Sequence, residues 1–102
     1  MPLTTDPDEA RRSPIDPATG MQEKYVVLSD DERAKGYVRP VRRSYIHETC
    51  RTETTMGIQI AETYARQPAF YGATFCVACR DHFPVGEHGQ FVWVDDNSKV
   101  GT

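Results

Sequence analysis

Two short motifs, each pairing metal-binding residue types at the same spacing, constrain this chain most. His47 and Cys50 form an H-x-x-C pair, and Cys76 and Cys79 form a C-x-x-C pair after twenty-five intervening residues. A two-residue spacer lets both side chains of a pair point at one ion from a tight turn. Three cysteines and one histidine are also a known donor set for a closed tetrahedral zinc site. The sequence therefore predicts one structural zinc ion bound by these four residues.

A second histidine competes for the fourth ligand position. His82 lies three residues after Cys79, so a C-x-x-C-x-x-H run could also wrap one ion. We prefer His47, because two spaced pairs approaching from separate turns close the loop between them, but both histidines stay open at this point. Arg51 and Arg80 each follow a pair directly; they could donate hydrogen bonds to the sulfurs or be solvated surface residues.

The number of cysteines and the composition agree with a metal-stabilised fold. Three cysteines cannot form a closed disulfide framework, and Pro84 prevents the long helix that a redox C-x-x-C motif would need after it. At 102 residues with 38% hydrophobic residues the chain has little core of its own, and small domains often rely on a metal. No apolar stretch approaches the length of a membrane span, and residues 1–12 lack the basic-then-apolar order expected of a secretory signal. We expect a cytoplasmic protein.

The sequence divides into three parts. Residues 1–20 hold four of the seven prolines and almost nothing apolar, which predicts a flexible acidic arm. Residues 21–95 hold the metal motifs and the apolar segments, and we expect them to form the zinc-binding domain. Residues 96–102 are predicted to be a frayed polar tail. The predicted fold is a small α+β, zinc-ribbon-like domain with short strands and one main helix.

Local patterns predict the elements of this domain. Ser29 to Glu32 matches a capping box that opens a short helix. Thr54 or Thr55 can cap the main helix, which runs to about Arg66 and carries an apolar stripe at every fourth residue: Met56, Ile60 and Tyr64. Residues 37–47 are predicted to be extended, and residues 91–94 are predicted to pair with residues 82–85 as a hairpin.

A basic segment raises the question of nucleic acid. Arg39, Arg42, Arg43 and Tyr45 lie on the extended stretch, where arginine could contact phosphates and tyrosine could stack on bases. The alternative, which we favour, is an edge strand that uses charge to prevent aggregation. Because the net charge is −3, a protein partner is the stronger expectation.

Asp81 and His82 superficially resemble the Asp-His core of HNH nucleases. That family needs a further helix bearing an asparagine and a metal-binding histidine, and no histidine follows Asn97. A metal-dependent nuclease is therefore a weaker alternative. We expect a binding module rather than an enzyme.

Four segments of the chain carry a resemblance to known proteins: LSDDERAKGYVRPVRRSYIH (28–47), TTMG (54–57), AETYAR (61–66) and FYGATFC (70–76). Together they are similar to a group of small hypothetical proteins of bacteriophages and prophages, and the similarity extends over roughly residues 20–102. The resemblance implies a phage accessory protein but no particular activity. Members of the group have Cys-Gly where this chain has Cys50-Arg51.

Overall fold

The computed structural model describes residues 3–102, which contain three helices and seven short strands. In chain order the elements are β1 (Leu3–Thr4), α1 (Pro7–Arg11), β2 (Tyr25–Val26), α2 (Asp30–Arg33), β3 (Ser44–His47), β4 (Glu53–Thr55), α3 (Ile58–Arg66), β5 (Ala73–Cys76), β6 (Asp81–Pro84) and β7 (Phe91–Trp93). The strands form a parallel β1–β2 pair, an antiparallel β4–β3–β7 sheet and an antiparallel β5–β6 hairpin. The α+β class expected from the sequence is confirmed.

The inner face of the three-stranded sheet forms the centre of the core. Tyr45 of β3 pairs with Trp93 of β7, and His47 pairs with Phe91. Side chains alternate between the two faces of a strand, and these four are at most 2% exposed. Helix α3 packs on the same face through Tyr64, whose ring meets that of Trp93 edge to face at 5.5 Å between centroids. His47 is therefore held within the core.

Helix α3 exists as predicted but begins later than the sequence indicated. Its N-cap is Gly57, because Thr54 and Thr55 belong to β4 and pair with β3. The apolar stripe predicted for the helix is buried, although its first member, Met56, precedes the helix. Pairing with a neighbouring strand has overridden the capping preference of the threonines.

The predicted hairpin between residues 82–85 and 91–94 is wrong. β6 pairs with β5, whereas β7 pairs with β3. The turn containing Cys76 and Cys79 joins β5 directly to β6, and a turn this short makes its two flanking strands each other's partners. β7 is then available to complete the central sheet.

Residues 3–20, which the sequence predicts to be a flexible arm, contain β1 and α1. β1 pairs with β2, and Asp6 caps α1 by accepting a hydrogen bond from the Asp8 N–H. Leu3 packs against the core, and Ala10 is buried. A few apolar contacts and one helix cap thus connect this segment to the domain. The first two residues of the expected arm lie outside the described part of the chain.

The segment predicted to be a frayed polar tail also packs against the domain. Val100 has no exposed surface, and Lys99 forms a bridge with Val92 beside β7. The Trp93 N–H donates to the carbonyl of Ser98 at 2.8 Å. One buried valine and these backbone hydrogen bonds hold the segment in place.

Candidate metal centre

His47 is oriented by contacts on all sides of its ring. The ring stacks between Phe83 and Phe91, with centroid distances of 4.5 and 4.8 Å. Its Nε2 lies 2.7 Å from Oε1 of Gln90, a distance at which an Nε2–H donates to the amide oxygen. Nδ1 then keeps its lone pair and faces the thiols. A metal-binding histidine usually donates its other ring N–H in this way, which fixes the tautomer.

The two motifs form turns of the same geometry. After the first pair, the Arg51 N–H donates to the His47 carbonyl at 2.7 Å; after the second, the Arg80 N–H donates to the Cys76 carbonyl at 2.8 Å. The backbone of both arginines is in the left-handed conformation, with φ of 62° and 55°. Each turn therefore brings the first and fourth residue of its motif to one side. We call these turns, residues 47–51 and 76–80, the first and second knuckle.

The two knuckles bring four ligand atoms together. The ligand atoms of His47, Cys50, Cys76 and Cys79 all lie within 4.8 Å of one another. Nδ1 of His47 is 3.4 Å from the Cys50 sulfur and 3.6 Å from the Cys79 sulfur, and the sulfurs of Cys50 and Cys76 are 3.5 Å apart. This set is consistent with a metal site.

The separations suit a tetrahedral ion with thiolate and imidazole ligands. Metal–sulfur bonds of about 2.3 Å and metal–nitrogen bonds of about 2.05 Å place tetrahedral ligands roughly 3.8 Å apart for two sulfurs and roughly 3.6 Å for sulfur and nitrogen. The distances around His47 match the second value within 0.2 Å. A disulfide would need sulfurs about 2.05 Å apart, and all three cysteines are free.

The electrostatics of the thiols also favour a bound cation. The pKa of the Cys50 thiol is lowered to about 6, and the largest cause is a hydrogen bond from the backbone N–H of Thr52. Desolvation, followed by the hydrogen bonds and charges of Cys76 and Cys50, raises the pKa of the Cys79 thiol to about 11. Three thiols this close resist ionising together, and a divalent cation removes that obstacle because it deprotonates the thiols that bind it.

His82, the competing ligand candidate, lies outside this group. Its Nε2 is 2.9 Å from the hydroxyl of Tyr25, and its ring packs beside Phe75. In the β5–β6 register His82 is opposite Phe75, one position beyond the pair of Cys76 and Asp81. The chain therefore brings His47 to the thiols and directs His82 towards β2.

The structure also describes Arg51 and Arg80, for which sulfur contact and solvation were both left open, and Asp81 of the nuclease alternative. Among residues 3–102, the hydrogen bonds found at the sulfurs include none from the side chains of Arg51 or Arg80. No second metal-binding group that includes Asp81 occurs in that range either.

The basic segment is only partly available to a partner. Arg42 is 7% exposed; its Nη1 donates to Asp96 at 2.7 Å and to Ser98 at 2.8 Å. Tyr45 is 2% exposed and donates to the carbonyl of Phe75. In this structure neither side chain is exposed to a partner, because Arg42 is paired internally and Tyr45 packs in the core.

Arg39 and Arg43 remain exposed. Arg39 donates to the carbonyl of Thr102, and Arg43 donates to that of Met56. The expected extended stretch of residues 37–47 is a strand only in β3. Before it, the N–H groups of Val38 and Arg39 donate to the carbonyl at the end of α3.

Sequence reasoning missed the residues that orient His47. Gln90, Phe83 and Phe91 lie 36 or more positions away along the chain and have no spacing relation to either motif. They reach the ring through the β3–β7 register and the β5–β6 hairpin. Only a correct strand pairing could have identified them.

Comparison of the chain with protein-family models, curated proteins and solved structures finds no match. Within residues 3–102, none of the helices has the length and apolar character needed to cross a lipid bilayer.

Proposed function

We propose that this chain is a small binding module whose fold depends on one structural zinc ion held by His47, Cys50, Cys76 and Cys79. The observation that carries the proposal is the convergence of these four ligand atoms within 4.8 Å. Zinc is the metal that three thiolates and one imidazole favour in a tetrahedral arrangement. The ligands come from the end of β3 with the turn after it and from the turn between β5 and β6, so the ion ties together elements far apart in sequence.

A structural role suits this donor set better than a catalytic one. Catalytic zinc keeps one position open for water and is typically bound by three protein ligands. Here four protein ligands are available, and both Cys76 and His47 are almost fully buried. These features favour a closed site and a protein without enzymatic activity.

A protein is the partner that the surface favours. With Arg42 paired to Asp96 and Tyr45 in the core, the basic segment offers only Arg39 and Arg43. Phosphate recognition commonly uses about six to ten cationic contacts, and the net charge is −3. An accessory protein of a phage that binds a host or phage protein in the reducing cytoplasm fits the resemblance of the sequence. Salt-dependent binding of short DNA or RNA would instead favour the nucleic-acid alternative.

The metal proposal is tested by measuring metal content and stability. We expect about one zinc per chain by elemental mass spectrometry. A chelator should unfold the protein, since structural zinc can contribute about 10–16 kcal/mol of apparent binding free energy to folding. A cooperative melting transition that survives complete metal removal would contradict the proposal.

Two matched histidine variants locate the fourth ligand. His47→Ala should lower zinc affinity sharply and give unstable protein, because it removes a ligand. His82→Ala should keep one zinc per chain, because its ring contacts Tyr25 rather than the thiols. Zinc loss from His82→Ala alone would overturn the assignment.

A further inference from the structure

The N-terminal segment contains a hairpin that ends beside the metal site. Residues 13–24, here called the arm hairpin, are closed by a bridge between Ile15 and Gln22 and by the Asp16 N–H donating to the carbonyl of Met21 at 2.8 Å. The Gly20 N–H donates back to the carbonyl of Asp16 at 2.7 Å. The loop of the hairpin is thus a defined structure rather than loose chain.

Gly20 in this loop lies directly on the second knuckle. A Cβ added to Gly20 would be 2.0 Å from the carbonyl oxygen of Arg80 and 2.6 Å from its carbonyl carbon. Gly20 also has φ of +82°, which residues with side chains rarely adopt. Only glycine therefore permits this approach of the two backbones.

The atom that Gly20 contacts depends on the geometry of the knuckle. Arg80 closes the turn that holds Cys76 and Cys79, and its φ of 55° is unfavourable for a residue with a side chain. An ion that binds both sulfurs fixes this turn, and with it the position of the Arg80 carbonyl. The arm hairpin and the ion therefore share one stretch of backbone.

We propose that docking of the arm hairpin and binding of zinc are coupled, so that each strengthens the other. The inference rests on the proposed zinc site. Zinc holds the surface on which Gly20 packs, and the docked hairpin holds the knuckle in its metal-binding geometry. Loss of zinc releases the N-terminal segment, which makes this segment a metal-dependent strap. By thermodynamic linkage the two effects are equal in size, and such couplings are typically about 5–150-fold in affinity.

A second contact holds the hairpin independently of the knuckle backbone. The hydroxyl of Tyr25, in β2 directly after the hairpin, is 2.9 Å from Nε2 of His82, and the Gln22 N–H donates to the same hydroxyl at 3.1 Å. Tyr25→Phe removes this contact without adding an atom near the metal ligands. It therefore weakens docking by a route that does not disturb the second knuckle.

The test compares Gly20→Ala with Gly36→Ala in the full chain. Gly36 also has positive φ, 108°, but nothing lies within 4 Å of an added Cβ, so its variant reports backbone strain alone. Two quantities are measured: zinc affinity by competition with a chromogenic chelator, and the rate of trypsin cleavage after Arg11, Arg12 and Lys24 in zinc-saturated protein. We expect Gly20→Ala to weaken zinc binding and speed cleavage by at least about fivefold each, and Gly36→Ala to change both less than about twofold.

Faster cleavage of Gly20→Ala with unchanged zinc affinity would overturn the coupling, as would unchanged cleavage. If circular dichroism shows that zinc-loaded Gly20→Ala is unfolded, Tyr25→Phe is used in its place. Coupling then requires that Tyr25→Phe weakens zinc binding and speeds trypsin cleavage. Wild-type protein without stoichiometric zinc would instead contradict the proposed function, and this is measured before any variant is compared.

Discussion

Arg51 and Arg80 occupy positions where a side chain is a disadvantage. The backbone of both residues is in the left-handed conformation, which costs about 1–2 kcal/mol for a residue with a Cβ. The knuckle hydrogen bonds, and in our proposal the ion, offset the cost here. Arginine at these two positions therefore does not prevent the turns from forming.

Gln90 provides the prediction at the residue scale. Gln90→Met should lower zinc affinity about 10–100-fold, the usual effect of removing a group that orients a metal ligand. The physical reason is that His47, which is 1% exposed, would keep a buried Nε2–H without an acceptor. Zinc affinity is measured by chelator competition, and the protonated ring nitrogen is identified by ¹⁵N NMR.

Gln90→Glu is the matched control, because it retains an oxygen acceptor at the same position. It should preserve the Nε2–H tautomer of His47. If Gln90→Met binds zinc as tightly as the wild type with the same tautomer, Gln90 has no orienting role.

The clustering of His47, Cys50, Cys76 and Cys79 could be predicted from the sequence, but the contacts that orient His47 could not. His47 could be preferred over His82 because its spacing to Cys50 repeats that of Cys76 and Cys79. Gln90 could not be found, since its contact with His47 is created by strand register.

At the scale of elements, local signals succeeded where the element depends on its own residues. Ser29 caps α2 by accepting a hydrogen bond from the Glu32 N–H, as predicted. The Glu32 carboxylate instead pairs with Lys35. The predicted start of α3 and the predicted partner of β7 were wrong. Both features depend on β3, which pairs with β4 and β7. Pairing between strands that are distant in sequence cannot be predicted from a local sequence pattern.

The contact between β6 and β2 gives a prediction about pH. Burial lowers the pKa of His82, and the opposing charge of Asp81 offsets only part of this effect. Above the ordinary imidazole pKa of about 6.5 His82 is neutral in both states. As pH falls below this value the unfolded chain takes up the proton first, so the free energy of unfolding decreases, by at most about 1.4 kcal/mol per pH unit.

His82→Gln removes this titration while keeping an acceptor for Tyr25. Between pH 7.5 and 5.5, roughly spanning the imidazole pKa, the wild type should lose more stability than the variant. Denaturant unfolding with zinc content monitored measures the difference. Protonation of the metal ligands affects both proteins equally, so parallel stability curves would contradict the prediction.

For the whole molecule, the core joins segments from the entire described chain. Val27, Tyr64, Phe91 and Val100 belong to one buried cluster, and Leu3 packs against it. Composition assigned Leu3 to the arm and Val100 to the tail, because a single apolar residue in a polar segment does not predict burial.

Val100→Ala tests whether the C-terminal segment is part of this core. We expect a loss of about 2 kcal/mol in the free energy of unfolding, since the substitution removes buried methyl groups and leaves a cavity. Val94→Ala is the matched control: Val94 is 40% exposed, and its variant should stay within about 0.5 kcal/mol of the wild type. Equal effects in zinc-saturated denaturation experiments would show that Val100 is not packed as described.

The position of β7 and Val100 late in the chain also affects how the protein is made. Roughly fifty residues separate His47 from Val100, and a ribosome adding about 5–20 residues per second needs about 3–10 s to synthesise them. During that time the nascent chain cannot complete the central sheet or orient the His47 ring. Cys50, and later Cys76 and Cys79, are then accessible to oxidants and to other thiophilic metals. Efficient production should therefore depend on zinc being available as soon as synthesis ends, before the thiols react with oxidants or other metals.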